Sequence, residues 1–467
     1  GKHVTAHSQG FFTTGPSSLR AISAADEIWI QPGSDISVSG VTFETLFMKD
    51  LLDNLHVVAE IEALYEYKNA PNQLKESDYT EPHREAMTAL ASSIWQTSLA
   101  DLAEDRSLDQ AFLVDLFADA PFSADAAVEA RLLDKLGWPE EALEAARTRD
   151  GDGNVFELAK YDPPSVRARA PRIAIVGGEG AITTGANAAG GPFGEGTRFA
   201  SDTIASAIIE AGNNKRVEAI VFRVDSPGGS PTASDQIWRA IEQVQEKGKP
   251  VVISMGSLAA SGGYYVSTGA DHIIANDTTI TGSIGIFGGK QTISEGLEII
   301  GVNPRTISVG GAFADAYGTD PFTEAQRAEL FESLRRGYER FTRLVAEGRE
   351  MSIDEVHAVA KGRVWSGNDA LEQGLVDEIG SFLDAIDKAK ELAGIDAETD
   401  VRLVTFPARK AGLEALGDLF GASAEAARVA SVLATITGDE RLNAALTQMK
   451  LMQGNDPKAF GPILIEH

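Results

Sequence analysis

Residues 250–277 read "PVVISMGSLAASGGYYVSTGADHIIAND". The apolar run at 250–255 has the composition of a buried strand, the stretch after Ser261 follows a helical pattern, and "HIIAN" (272–276) reads as another strand. Between the first strand and the helix lies "AASGG", one serine among small residues. Ser261 therefore stands where a loop becomes a helix. Backbone N–H groups without helical partners gather at such a point, and negative charge is stabilised there. That position suits a nucleophile whose attack creates an oxyanion. It equally suits an ordinary N-cap.

Upstream, "PRIAIVGGEGAI" (171–182) reads as a buried strand, followed by a Gly/Ala-rich stretch, "TTGANAAGGPFGEGT", expected to be a mobile loop. A helix at about 200–212, the strand "VEAIVFRVD" (217–225) and a helix at about 233–247 complete the approach to Pro250. Strands alternating with helices imply an α/β fold with a mostly parallel sheet and flanking helices.

The pattern occurs twice. The opening, "GKHVTAHSQGFFTTGPSSLRAISAADEIWIQP", lies over the stretch from Gly248: Gly1, Lys2 and Val4 match Gly248, Lys249 and Val251. After a short length change, Ala25, Asp26 and Ile28 match Ala270, Asp271 and Ile273. Then "DLLDNLHV" meets "EGLEIIGV", "TEPHREAMTAL" meets "TEAQRAELFES", and "ARLLDKLG" (130–137) meets "ALEQGLVDEIG" (370–380). Matches in unbroken order mark a duplication. The first copy starts at the equivalent of Gly248, so its own early strands are missing, and the abrupt start suggests a segment removed upstream. With a boundary at "YDPPSVRARAP" (161–171), the expected organisation is an N-terminal repeat (1–165), a C-terminal repeat (166–395) and a helical extension (396–467).

Composition removes several function classes. A formal net charge of −28 and a pI of about 4.6 argue against a nucleic-acid surface or docking on anionic lipid. The absence of cysteine excludes a thiol nucleophile, disulfides and thiolate metal sites. The seven histidines show no ligand spacing, so neither a metal nor another cofactor is expected. No apolar run is long enough to span a bilayer.

Three clusters could carry chemistry. The Pro-Gly-Gly turn in "RVDSPGGSPTASD" (223–235) lets backbone approach a ligand, as an oxyanion hole would. It also reads as a tight strand-to-helix turn capped by Ser230 or Thr232. The second cluster is "AASGG". The third is "LYEYKNAP" (64–71), containing Lys68, with Leu64, Tyr65 and Tyr67 as apolar bulk around the amine. Aligned on the repeat, the position matching Ser261 is Pro16, and the place matching Lys68, near Gly311 to Phe313, has no lysine. One copy holds the amine without the hydroxyl, and the other holds the reverse. Two halves sharing one active site would leave that pattern.

"VDSPGGS", "SMGSLAASGGYYVS" and "TGSIGIFG" (281–288), with the upstream "YEYKNAP" and the repeat, resemble signal peptide peptidase A in its long, two-domain form. The resemblance covers most of the chain and fades after about residue 396. It implies two tandem Clp/crotonase-like repeats and a Ser–Lys dyad, with Ser261 as nucleophile, Lys68 as general base and Ser283 as a lysine-orienting hydroxyl. For the oxyanion hole it implies backbone N–H groups, placed at Gly229 and Gly262 with Gly228 as the fallback. It further implies peptide substrates (signal peptides and similar hydrophobic or unfolded segments), a homotetramer, and a bacterial inner-membrane location. There the catalytic part faces the periplasm, held by an anchor absent from this chain.

The chemistry agrees. Lysine acts as a base only when neutral, and an exposed lysine with a pKa near 10.4 is almost wholly charged at pH 7, so burial is required. The pocket for the residue before the cut is expected to be apolar. Three other readings stand beside this one. A Ser–His–Asp site would use His272 and Asp271, but an intervening helix would hold His272 more than about 10 Å from Ser261. A crotonase-type acyl-CoA enzyme would need a carboxylate as its acid or base. In a non-catalytic scaffold, the repeat would serve assembly alone.

Overall fold

The apolar run entered at Pro250 becomes the strand Val251–Ala260, nearly all of it buried. The computed structural model describes residues 2–149, 153–155, 157, 166–167, 169–187, 199–407 and 459–460. Among these, one sheet runs in the order Val364–Trp365, Ile280–Gly282, Val251–Ala260, Val217–Ser226, Arg172–Glu179, Arg402–Phe406. His272–Ala275 also pairs with Val251–Ala260 and in turn carries Glu378–Ile379. Every pairing is parallel except that of Ile280–Gly282 with Val364–Trp365.

Parallel strands need helices on both faces, and the two-residue period supplies an apolar set for each. Ala174, Ile220, Phe222, Val251 and Ile253 pack with Ile204 and Ile208 of helix Ser201–Asn213 and with Ile237 and Ile241 of helix Pro231–Gln245. The intervening residues Ile173, Ala219, Val221 and Val252 pack with Ala385, Ile386 and Ala389 of helix Phe382–Leu392 on the other face. The expected strands and helices between 171 and 276 are all present. The segment read as a mobile loop falls largely on residues 188–198, outside the described residues. So does most of the expected helical extension. Its described part includes Arg402–Phe406, which is a strand because its backbone completes the parallel edge beside Arg172–Glu179.

The described chain divides into two compact units, one of Gly1–Glu44 with Thr88–Ser165, the other of Thr45–Met87 with Val166–Ile463. Residues 45–87, read from the sequence with the first repeat, are thus compact with residues of the second. The cause is a strand pairing: Val58–Ala63 lies antiparallel to Phe287–Thr292, with Ile61 opposite Gly289. Gly289 is required there, since a Cβ would lie 2.1 Å from the Glu60 carbonyl oxygen.

The repeat is visible inside each unit. In the first, Thr5–Ser8 and Glu27–Ile30 are parallel strands joined through helix Ser17–Ser23, and Lys135–Leu136 extends them. In the second, Val251–Ala260, helix Gly262–Ser267, His272–Ala275 and Glu378–Ile379 follow the same plan. The fixing bonds are duplicated too. Asp26 accepts from Val4 N–H at 2.8 Å, as Asp271 does from Val251 N–H at 2.8 Å. Asp134 accepts from Ile28 N–H and pairs with Arg106, as Asp377 accepts from Ile273 N–H and pairs with Arg349. Pro16 caps the first helix where Ser261 caps the second. Among the described residues no helix is long and apolar enough to cross a membrane.

Asp377 joins a strand N–H to the largely buried Arg349 through two guanidinium bonds of 2.9 and 2.6 Å. Burial opposes its ionisation, but Arg349 and the Ile273 N–H outweigh burial and hold the carboxyl below its usual range. Asp377→Ala leaves the Ile273 N–H without its carboxylate acceptor and Arg349 with only its Nε bond to the Gly374 carbonyl, and is expected to cost about 2–4 kcal/mol in urea unfolding at pH 7. Because the folded-state pKa is lowered, the difference should shrink as pH falls below about 4. A loss under about 0.5 kcal/mol at pH 7, the range of ordinary surface substitutions, would show that the duplicated pair is ornamental to stability.

Candidate active site

The route to Ser261 starts at Asp225, the residue before the SPGG turn. Its carboxylate accepts from Ser257 Oγ at 3.1 Å and from Leu258 N–H at 3.2 Å, where the register of Val251–Ala260 shifts between Met255 and Ala259. The bulge redirects the strand end. Asp225 is thereby engaged in backbone geometry. Ser261 follows with φ 55° and ψ −113°, a conformation that side-chain-bearing residues rarely adopt. Its N–H donates to the Gly282 carbonyl at 2.8 Å, and its own carbonyl accepts from Tyr265 N–H at 2.8 Å. Strain of this kind persists only where surrounding bonds fix it.

Lys68 reaches the same point from residues 64–71. Its Nζ lies 2.9 Å from Ser261 Oγ, 3.0 Å from Ser283 Oγ and 3.1 Å from the Ser283 carbonyl oxygen. A neutral amine has two N–H donors and one lone pair. That inventory fits donation to the two Ser283 oxygens and acceptance from the Ser261 hydroxyl. Lys68 is 2% exposed, and burial lowers its pKa well below the ordinary lysine value. Ser283 is held at φ 51°, its N–H donating to the Arg363 carbonyl at 2.6 Å.

The turn at 228–229 approaches Gly262 closely: a Cβ on Gly262 would lie 3.0 Å from Gly229 N and 2.8 Å from Ser234 Oγ. A Cβ on Gly229 would meet the Ile182 carbonyl oxygen at 2.0 Å, so only glycine fits there. The N–H of the fallback, Gly228, donates to Ser226 Oγ at 3.1 Å. Ser230 is the N-cap of Pro231–Gln245, accepting from Ala233 N–H. At its strand edge, Gly228–Gly229 pairs antiparallel with Ala459–Phe460 of the same chain.

The structure thus brings Lys68, Ser261 and Ser283 together, with Gly229 and Gly262 alongside one another. The bulk expected around Lys68 is distributed otherwise. Leu64 is buried, but the half-exposed Tyr65 stacks on Tyr338 at 4.9 Å, and Tyr67 donates to Glu85 at 2.7 Å. Backbone closes over the lysine instead. A Cβ on Gly362 would lie 2.5 Å from Lys68 N and Cα, and one on Gly285 would lie 3.0 Å from its Cδ. Sequence reasoning missed Gly362 and Gly285, because a glycine signals close approach without naming its partner. His272 binds Glu378 at 3.0 Å and Asp271 binds Val251 N–H, so neither is arranged as a partner of Ser261.

Peptidase family S49 matches the chain over residues 3–151 and 243–396, one stretch on each copy of the repeat. Lys68, Ser261 and Ser283 lie within the matched residues and Gly229 between them. Protease 4 of Salmonella typhi is 34% identical over 386 residues, 79% of this chain and 61% of that protein. "Serine protease SPPA, chloroplastic" of Arabidopsis thaliana is 29% identical over 393 residues, 82% of this chain and 57% of that protein. "Putative signal peptide peptidase SppA" of Enterococcus faecium is 36% identical over 179 residues, 38% of this chain and 52% of that protein. The chain thus matches between about half and three fifths of the length of these curated relatives. A match on both copies of the repeat, covering most of the chain, decides the family: the chain belongs to peptidase family S49.

Proposed function

We propose that this chain is a serine endopeptidase that cleaves released signal peptides and similar hydrophobic or unfolded segments through a Ser–Lys dyad. The observation carrying this reading is a buried lysine amine 2.9 Å from a serine hydroxyl at a strand–helix junction. Lys68 takes the Ser261 proton as Oγ attacks the scissile carbonyl. The oxyanion that forms is held by the Gly229 and Gly262 N–H groups. Lys68 then gives its proton to the departing amine, which leaves an ester on Ser261. Water, deprotonated by Lys68, attacks that ester and restores the hydroxyl. Ser283 directs the amine lone pair toward Ser261 throughout. Pairing of an extended segment with Gly228–Gly229 supports strand-wise substrate binding, because a peptide adding there would cross the oxyanion donors.

The choice of signal peptides rests on the names of the relatives, and it carries the expectation of an apolar pocket for the residue before the cut. A homotetramer at the bacterial inner membrane, with its catalytic part facing the periplasm, is the finer part of the proposal. It rests on the family resemblance of the sequence motifs.

A fluorophosphonate should phosphonylate the wild type at Ser261 with loss of fluoride, and Ser261→Ala should remain unlabelled. Lys68→Ala should label at least about a hundredfold more slowly, the scale of a lost general base. Equal labelling of all three, read by intact mass, would sink the dyad. Ser283→Ala should lose less activity than Lys68→Ala and displace the ascending limb of kcat/KM against pH. An unmoved limb would mean that Ser283 does not act on the amine.

Burial of Lys68 also has a stability consequence. Its folded-state pKa is lowered, so the unfolded chain binds the extra proton and stability falls as pH drops below the unfolded value of about 10.4. Lys68→Met should therefore be inactive yet more stable than wild type at pH 7, with the advantage fading toward pH 10. Equal stability at both pH values would show that the amine is not buried in its neutral form.

A further inference from the structure

We infer that Arg363 is a positioning residue for the dyad, one that locks the segment carrying Lys68 to the loop carrying Ser283. The inference rests on the Ser–Lys reading and deepens it. Arg363 has contacts at both ends of the site. Its carbonyl accepts from Ser283 N–H at 2.6 Å, one of the bonds that hold Ser283 in its left-handed conformation. Its guanidinium lies over the ring of Tyr67, the residue before Lys68, at 5.1 Å, and over Trp365 at 4.7 Å. It also donates to Glu85 Oε1 at 2.8 Å, while Tyr67 OH donates to Glu85 Oε2 at 2.7 Å. Arginine, Tyr67 and Glu85 thus close a triangle beside Lys68, and a planar guanidinium serves both the stack and the ion pair.

The neighbouring residues make the link stiff. Gly362 donates its N–H to the Ile284 carbonyl at 2.9 Å and lies with its Cα face directly against the Lys68 backbone. Val364 and Trp365 pair with Gly282 and Thr281, the two residues before Ser283, and Trp365 Nε1 donates to the Val359 carbonyl at 2.9 Å. Displacing the Arg363 side chain would free this loop from Tyr67, so the amine and its two Ser283 acceptors would no longer be fixed together. A misplacement of about 1 Å in such a constellation is worth up to about a hundredfold in rate.

The test uses Arg363→Gln, Arg363→Lys and Glu85→Gln, with active sites counted by fluorophosphonate titration. Arg363→Gln should lower kcat per titrated site by about tenfold or more with KM within about twofold. Its ascending pH limb should move upward, as water reaches a less tightly held amine. Arg363→Lys should recover part of both effects, and Glu85→Gln should move both in the same direction by less. An unchanged kcat per site, a rise in KM alone, or a lower fraction of active sites with the limb unmoved would overturn the inference. Failure of the wild type to label at Ser261 would overturn the dyad reading and this inference with it. A labelled wild type beside an unaffected Arg363→Gln overturns this inference alone.

Discussion

The site depends on an amine kept out of water. Lys68 is buried against three serine oxygens and two glycine backbones, and among the described residues no ion pair with a carboxylate offsets its charge. Desolvation disfavours the ammonium, so the folded state favours a neutral amine with its lone pair beside the Ser261 hydroxyl, as the proposed dyad requires. Much of the local architecture keeps that arrangement closed. The pairing of Val58–Ala63 with Phe287–Thr292 brings the lysine segment in, and the glycines let backbone take the place of side chains around it. A carboxylate beside the amine would hold it charged and remove the base.

Backbone strain gathers at the same place. Tyr65, Ser261, Ser283 and Lys361 all have positive φ without being glycine, and each lies in or beside a segment that touches the dyad. These conformations are unfavourable singly, and they are kept by bonds from neighbouring elements, such as Gly282 to Ser261 and Arg363 to Ser283. A serine in an ordinary helical N-cap would direct its side chain to its own helix. Ser261 makes no side-chain cap bond, and its hydroxyl meets Lys68.

Duplication explains how such a site arises from two copies of one plan. The paired aspartates and arginines, and the parallel strands around a short helix, are kept in both units because each sheet needs them. The groups of the proposed dyad are not duplicated. With Pro16 in place of a hydroxyl, the first helix start keeps its structural role only. Residues 45–87 then join the second copy, where their lysine completes what that copy lacks.

The sequence by itself determined the alternation of strands and helices from 171 to 276, the repeat, the Pro-Gly-Gly turn and the candidates Ser261 and Lys68, while Ser283, Gly229 and Gly262 were implied by the family resemblance. Local periodicity and turn chemistry act over a few residues, and a matching repeat adds correspondence at long range. Tertiary structure alone decided what stands across from each of them. The roles of Gly362, Gly285 and Arg363 come from approaches between segments tens to hundreds of residues apart, and neither a glycine nor an arginine names its partner in advance. The rings of Tyr65 and Tyr67 were legible as bulk near Lys68. Their directions were not, because Tyr338 and Glu85, which hold them, are fixed by packing of elements distant in the chain.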